Sequence, residues 1–290
     1  MSKAAQLRKC FRDMPLVPII GAYNPLSARL AERAGFAGIW ASGFELSAAY
    51  GVPDASLISM TQHLDMARAI NEAVALPIVA DVDTGYGNAI NVIHTVEKYE
   101  RAGMAAIVIE DKKFPKDTSL LAGGRQELLS VEEFAGKIEA AVATRRDADF
   151  MIIARVEALI AGQGQAEAKR RGERYTDAGA DAILIHSKSK TPDEIIEFIN
   201  AWERATPIVI VPTSYPQLTE RDIIALKKVK MVVYGNHGIR AAVTGMEQAF
   251  KQIRADGGIH NLDKNIVPVQ HIFELQGVAQ MKENEKKFLR

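Results

Sequence analysis

Short, continuously apolar runs recur along this chain, and each is followed by a stretch with helical periodicity. The runs are 16–21, 38–41, 78–83, 105–110, 150–155, 182–186, 207–211 and 231–234. Between and after them the helical pattern covers 27–34, 61–75, 89–102, 131–145, 165–178, 192–204, 219–228 and 239–255, with a further stretch near 269–286. Thr61 and Ser130 stand where N-caps are expected, and Gly35 and Gly103 where helices stop. Strands that do not alternate polar with apolar residues are covered on both faces, which is the mark of a parallel sheet. An open doubly wound sheet also uses such strands. Eight strand–helix units in 290 residues favour closure into an α/β (β/α)8 TIM barrel.

No linker, low-complexity segment or shift in composition divides the chain, so 1–290 is expected to be one barrel domain with a helical tail over 257–290. The segment 112–129 has no strand or helix pattern. A loop of that length in a compact domain works as a lid or a binding loop, and Gly123-Gly124 would supply its hinge. Thirty-six basic and 36 acidic side chains leave no net charge, so no broad basic surface points to nucleic acid or anionic lipid. Cys10 is the single cysteine, which excludes an internal disulfide framework and a multi-cysteine zinc site. The first residues lack an apolar signal core and no run reaches bilayer length, so a cytoplasmic protein without a membrane partner is expected.

In a barrel of this kind chemistry gathers at the C-terminal ends of the strands. Those ends carry Trp40-Ala41-Ser42-Gly43-Phe44, Asp81 and Asp83, Glu110-Asp111-Lys112, Arg155 and Glu157, His186-Ser187, Pro212-Thr213-Ser214 and Gly235-Asn236-His237, with Asp54 on the loop after the second strand. Asp81 and Asp83, two apart on a strand, would point to one face, and Gly85 and Gly87 would let the backbone turn beside them. Paired carboxylates repel and resist desolvation unless a cation sits between them. Asp54, Asp81, Asp83 and Glu110 therefore suggest a Mg²⁺ site for a small anionic substrate. Arg155 suits a bidentate grip on a carboxylate or phosphoryl group, and Ser42-Gly43-Phe44 can offer backbone N–H groups to an anion. His186 and Lys116 stand available on the same rim.

Plainer roles exist for several of these residues. Glu110 and Arg155 can form a purely structural ion pair, His186 can be a satisfied core histidine, and Lys112, Lys113 and Lys116 can be a solvated charged run. Asn236-His237 suits a helix cap. His63 and His94 fall inside helical stretches, His260 and His271 lie beyond the barrel, and Cys10 reads as a packed thiol.

Four segments in this order, Asp81-Val82-Asp83-Thr84-Gly85-Tyr86-Gly87, Glu110-Asp111-Lys112, Ala154-Arg155-Val156-Glu157-Ala158 and Gly179-Ala180-Asp181-Ala182, resemble the isocitrate lyase/phosphoenolpyruvate mutase superfamily over nearly the whole chain. The resemblance implies a (β/α)8 barrel whose last helix is swapped with a neighbouring subunit, hence a homodimer or a homotetramer built as a dimer of dimers. Lyases of the superfamily carry Lys-Lys-Cys-Gly-His after the fourth strand. This chain reads Glu110-Asp111-Lys112-Lys113-Phe114-Pro115-Lys116-Asp117-Thr118-Ser119 there and has no cysteine for that role. The mutases have Glu-Asp-Lys, a gap of five, then Asn-Ser; here the gap ends in Thr118-Ser119, the pattern of the branch that hydrolyses phosphonopyruvate. The stretches Ala41-Ser42-Gly43-Phe44-Glu45-Leu46-Ser47 and Gly124-Arg125-Gln126-Glu127-Leu128 also resemble that branch.

The implied activity is Mg²⁺-dependent cleavage of the P–C bond of 3-phosphonopyruvate to pyruvate and phosphate, a step of phosphonate catabolism, with Mn²⁺ or Co²⁺ as substitute metals. Interconversion of phosphoenolpyruvate and phosphonopyruvate is the alternative, relatives acting on oxaloacetate share the same rim, and a barrel that only binds a small acid is the non-catalytic reading. By resemblance, Asp81 binds the metal directly, and Asp54, Asp83 and Glu110 hold it through water. Ser42, Gly43 and Phe44 anchor the pyruvyl end beside Trp40, Arg155 and His186 hold the phosphonate, and Lys116 arrives as the 112–129 loop closes. Thr118 would orient the attacking water or leave room for it.

Overall fold

The computed structural model describes all 290 residues. Eight strands form a closed parallel barrel in chain order. They are β1 (Val17–Ala22), β2 (Gly38–Ala41), β3 (Ile78–Asp81), β4 (Ala106–Glu110), β5 (Met151–Val156), β6 (Ala182–Ile185), β7 (Ile208–Ile210) and β8 (Val229–Tyr234). The helices are α1 (Lys3–Asp13), α2 (Pro25–Arg33), α3 (Gly43–Ala49), α4 (Met60–Ala73), α5 (Ala89–Arg101), α6 (Val131–Thr144), α7 (Gly164–Asp177), α8 (Asp193–Ala201), α9 (Glu220–Ala225), α10 (His237–Asp256), α11 (Val269–Gln276) and α12 (Val278–Phe288). The expected barrel is therefore present. The chain divides into two compact units, Met1–His237 and Gly238–Arg290. No helix is long and apolar enough to cross a membrane.

The barrel explains why its strands are apolar without alternation. Successive side chains point to opposite faces, and each face meets a different core. Val79, Val108, Ile153, Leu184, Val209 and Val233 fill the interior together with Leu7 and Phe11 of α1. Their strand neighbours Ile78, Ile107, Ile152, Ile183, Ile208 and Val232 pack outward against helix residues such as Phe134, Tyr175, Phe198 and Trp202. Both faces are dry, so both are written in Ile, Val and Leu.

Local chemistry sets the element ends and corrects several expected boundaries. The cap of α4 is Ser59 rather than Thr61: Ser59 accepts from the Gln62 N–H, and Gln62 returns a contact to the Ser59 N–H. Ser130 caps α6 as expected. The stretch near 269–286 is two helices, because Gly277 takes a left-handed φ of 76° between them. β3 ends at Asp81 instead of running to Asp83, since Asp83 has φ 51° and leaves the extended conformation. Two helices show no clear signal in the strand–helix alternation. One is α1, whose Leu7 and Phe11 join the barrel interior. The other is α3, a short helix capped by Ser42 directly after β2.

Candidate active site

The C-terminal ends of the strands enclose a cavity of about 320 Å³. Trp40, Ser42, Phe44, Asp54, Asp81, Lys116, Thr118, Arg155 and His186 line it, together with Ser119 and the apolar side chains of Leu120, Leu121, Val211 and Val233. Asp83 and Glu110 lie behind this lining, each in contact with Lys116. Gly43 belongs to the same place, because a Cβ there would lie 3.1 Å from Asp83 Oδ1 and 3.6 Å from Asp81 Oδ2. Any side chain at Gly43 would crowd the acidic residues, so glycine eases the close approach of α3 to them. Ser42 Oγ accepts from the Glu45 N–H, and a helix leaves its first N–H groups without an intrahelical acceptor, so the segment at Gly43 and Phe44 can face an anion.

The acidic pair is built differently from a simple strand end. Asp81 completes β3, while Asp83 reaches the site through a turn. Three contacts hold that turn. The Glu110 N–H donates to the Asp83 carbonyl at 2.8 Å, Lys137 Nζ donates to the Thr84 carbonyl at 3.0 Å, and the Asp83 N–H donates to Asp81 Oδ1 at 3.3 Å. Burial raises the pKa of Asp81, and raises that of Asp83 to about 7, with neighbouring carboxylates adding to the shift and Lys116 opposing it.

Lys116 Nζ stands among these carboxylates, 2.7 Å from Asp83 Oδ1, 3.2 Å from Asp54 Oδ2 and 3.8 Å from Glu110 Oε1. Burial disfavours its charge, yet Asp83, Glu110, Asp54 and Asp81 together outweigh that and hold its pKa well above the lysine value. The resemblance assigns Lys116 to the phosphonate; in the structure its ammonium pairs with the acidic half of the site. Asp81 has no ion pair with it. No three acidic, histidine or cysteine side chains converge to hold an ion by themselves. The donor set nevertheless fits a hard cation: its donors are carboxylate oxygens, and both oxygens of Glu110 and Oδ1 of Asp83 are buried with only the charges of Lys116 and Arg155 to balance them.

The opposite half is basic. Glu110 and Arg155 are cross-strand partners, with Arg155 Nε 3.4 Å from Glu110 Oε2. Arg155 Nε donates to Glu157 Oε1 at 2.6 Å, and its Nη2 donates to Ser119 Oγ at 3.0 Å. His186 Nδ1 lies 2.8 Å from Arg155 Nη2 and 3.0 Å from Glu157 Oε1, which leaves Nε2 as the ring nitrogen for a ligand. Burial lowers the His186 pKa, with Glu157 opposing. Burial would raise the Glu157 carboxyl, but Arg155, Lys112 and His186 hold it well below the ordinary range. Lys112 also anchors the loop above: its Nζ donates to Ser119 Oγ at 2.7 Å and to the Asp117 carbonyl at 2.9 Å.

The 112–129 loop is closed at its base by an antiparallel bridge between Lys112 and Leu128. It brings Lys116 to the acidic half, Thr118 to the cavity wall and Ser119 to the basic half. Ser119 and the apolar wall of Leu120, Leu121, Val211 and Val233 are not among the residues expected to form the site. Ser119 had a local signal in its place beside Thr118; the apolar residues are ordinary strand and loop positions until the barrel closes.

His63 is buried in α4 behind the acidic turn. Its Nδ1 is 2.7 Å from the Tyr99 hydroxyl, which is 3.2 Å from the Tyr86 hydroxyl, and its Nε2 is 3.2 Å from the Ala41 carbonyl. A carbonyl only accepts, so Nε2 carries the proton and Nδ1 accepts from Tyr99. Burial lowers the His63 pKa to about 4. Unfolded chains protonate this imidazole near pH 6.5 while the folded chain does not, so its contribution is lost as the pH falls from about 6.5 to about 4. Replacing His63 with Gln, which can accept from Tyr99 and donate to Ala41, is expected to flatten that window by roughly 3 kcal/mol. Urea unfolding of both proteins at pH 7 and pH 4.5 checks this, and parallel pH profiles would refute the neutral buried imidazole.

A family model described as phosphoenolpyruvate phosphomutase matches residues 7–254. The chain is 58% identical over 290 residues to the phosphonopyruvate hydrolase of Variovorax sp. (strain Pal2), covering 100% of each. Among solved structures, a phosphoenolpyruvate phosphomutase from Streptomyces platensis subsp. rosaceus is similar with TM-score 0.97 and 52% identity, covering 99% of each chain. A phosphonopyruvate hydrolase in complex with oxalate and Mg²⁺ is similar with TM-score 0.95 and 56% identity, covering 100% of each.

Proposed function

Because the chain belongs to the phosphoenolpyruvate phosphomutase family, we propose that the cavity is the place where it hydrolyses the P–C bond of 3-phosphonopyruvate to pyruvate and phosphate. The full-length 58% identity to a phosphonopyruvate hydrolase carries this reading. Thr118 on the cavity wall supports it.

Asp81, with Asp54, Asp83 and Glu110 around it, would hold Mg²⁺, which would supply positive charge for the ketone and carboxylate oxygens of the substrate. The remaining work falls to the chain itself. The backbone at Ser42, Gly43 and Phe44 holds the pyruvyl end against Trp40. Arg155 and His186 bind the phosphonate oxygens, with the guanidinium aimed by Glu157. As the P–C bond breaks, its electron pair passes to the pyruvyl carbon, which then takes a proton. Water supplies the oxygen that completes phosphate. A loose phosphoryl transfer needs mainly positioning and charge stabilisation. The Thr118 hydroxyl orients that water or leaves space for it, and the apolar wall of Leu120, Leu121, Val211 and Val233 keeps other water out.

One observation favours a second reading, mutase activity: the 52% identity to a structure described as a phosphoenolpyruvate phosphomutase. Incubation with phosphonopyruvate and Mg²⁺ separates the two. Equal amounts of pyruvate and phosphate are expected; phosphoenolpyruvate without phosphate release would replace the hydrolase with the mutase. A parallel incubation with oxaloacetate is expected to leave it intact.

The unit Gly238–Arg290 exposes Val243, Met246, Phe250, Val269, Phe273 and Met281. Apolar side chains in this number suit a second copy of the chain, and the reading includes a cytoplasmic homodimer or homotetramer that exchanges terminal helices. Light scattering on a size-exclusion column is expected to give twice or four times the 31.7 kDa chain mass. A monomer at micromolar concentration would remove the assembly from the reading.

A further inference from the structure

We propose that Lys116 is an internal counter-cation of the acidic cluster, so that a divalent metal and this position of the loop compete for the same carboxylates. The inference rests on the metal-dependent reading above and goes beyond it in giving Lys116 a role toward the metal instead of toward the phosphonate.

Three observations carry it. The side chain of Lys116 is 4% exposed, and its ammonium contacts Asp54, Asp83 and Glu110 together. Asp54 and Glu110 come from different loops or strands, so only a cation placed centrally can serve all three. Second, no three acidic or histidine side chains converge to hold an ion by themselves. Third, the backbone on either side is fixed to the same site: the Lys116 N–H donates to Ser56 Oγ at 3.2 Å, and Ser119 is held by Lys112, Glu157 and Arg155. The ammonium is thus delivered by the loop itself.

Buried carboxylates need positive charge nearby, whether it comes from a side chain or from a metal. Two cations in one small cluster repel, and each lowers the benefit of the other. Metal entry therefore weakens the three ion pairs of Lys116 and loosens this part of the loop. By reciprocity, loss of the ammonium raises metal affinity. The ties of Ser119 use none of the proposed direct metal ligand, so metal binding leaves that anchor in place. Lys116 is a positioning residue in this scheme.

Mn²⁺ serves as the probe, because its binding is read directly by electron paramagnetic resonance without substrate or turnover. Lys116→Met is expected to bind Mn²⁺ at least tenfold more tightly than the natural chain, and Lys116→Arg, which keeps the charge, within threefold of it. Unchanged or weaker binding by Lys116→Met overturns the proposal; a residue that merely supports the fold would not give tighter binding when removed. If Lys116→Met folds only with Mn²⁺, recovery of a cooperative melt on adding the metal supports the same conclusion. On the natural chain, Mn²⁺ alone is expected to speed tryptic cleavage after Arg125, on the loop. Slower or unchanged cleavage overturns the competition. Phosphonopyruvate turnover is assayed separately, so the competition can fail while the hydrolase reading stands. Absence of any Mn²⁺ binding would overturn both.

Discussion

Asp81→Ala is expected to abolish metal-dependent turnover of phosphonopyruvate, lowering kcat by about 10³-fold or more. Asp81 lines the cavity and is the acidic residue of the cluster that makes no ion pair with Lys116. It is therefore the carboxylate that faces the cavity without the Lys116 ammonium as partner, its Oδ1 accepting only from the Asp83 N–H. Its position at the last residue of β3 fixes it by the barrel ladder, where Asp83 depends on a turn. Removing it also takes away the acceptor for the Asp83 N–H, so the loss has a local structural part. Asp81→Asn separates the two: it keeps an acceptor oxygen and lacks the charge. Both variants are expected to lose Mn²⁺ binding in the paramagnetic-resonance titration. Near-normal turnover in either would remove Asp81 from the metal site.

The second large effect belongs to Arg155. Its guanidinium touches Glu157, Glu110, Ser119 and the ring of His186 at once, a set that needs a planar, forked donor. Arg155→Lys keeps the charge and loses the fork. A drop of roughly 10²- to 10³-fold in kcat/KM is expected. The comparison that gives this meaning is inhibition by oxalate, which has carboxylates but no phosphoryl group. If Arg155 acts at the phosphonate, the variant loses phosphonopyruvate affinity and turnover while its oxalate inhibition constant changes by less than about threefold. Equal loss for both ligands would place Arg155 at the other end of the substrate or make its role structural.

The barrel was legible in the chain because its two cores leave a direct trace. With apolar residues needed inside and outside, each strand reads as a plain run of Ile, Val and Ala, and the run repeats eight times. The acidic and basic residues of the site were legible for a related reason, since a charged residue at the end of an apolar strand has few structural uses. What the pattern does not encode is direction. Asp81 and Asp83 look alike in the sequence, yet a left-handed residue at Asp83 sends one carboxylate by a different route. Lys116 sits in a run of lysines that resembles a solvated surface, and only the fold of the loop shows its ammonium inside the cluster. Ser119 is a small polar residue with no periodicity behind it; its contacts come from β5 and from the base of its own loop.

One loop carries Lys116 to the acidic half of the cavity and Ser119 to the basic half. If this loop gates the cavity, entry and exit share a single door. The two contacts lie on one short segment, so a full opening of the loop uncovers both ends of a substrate that spans the halves. Pyruvate and phosphate, although formed as separate molecules, would then leave through the same opening event that admits the next substrate. If that opening limits turnover, added viscosity is expected to slow release of both products alike.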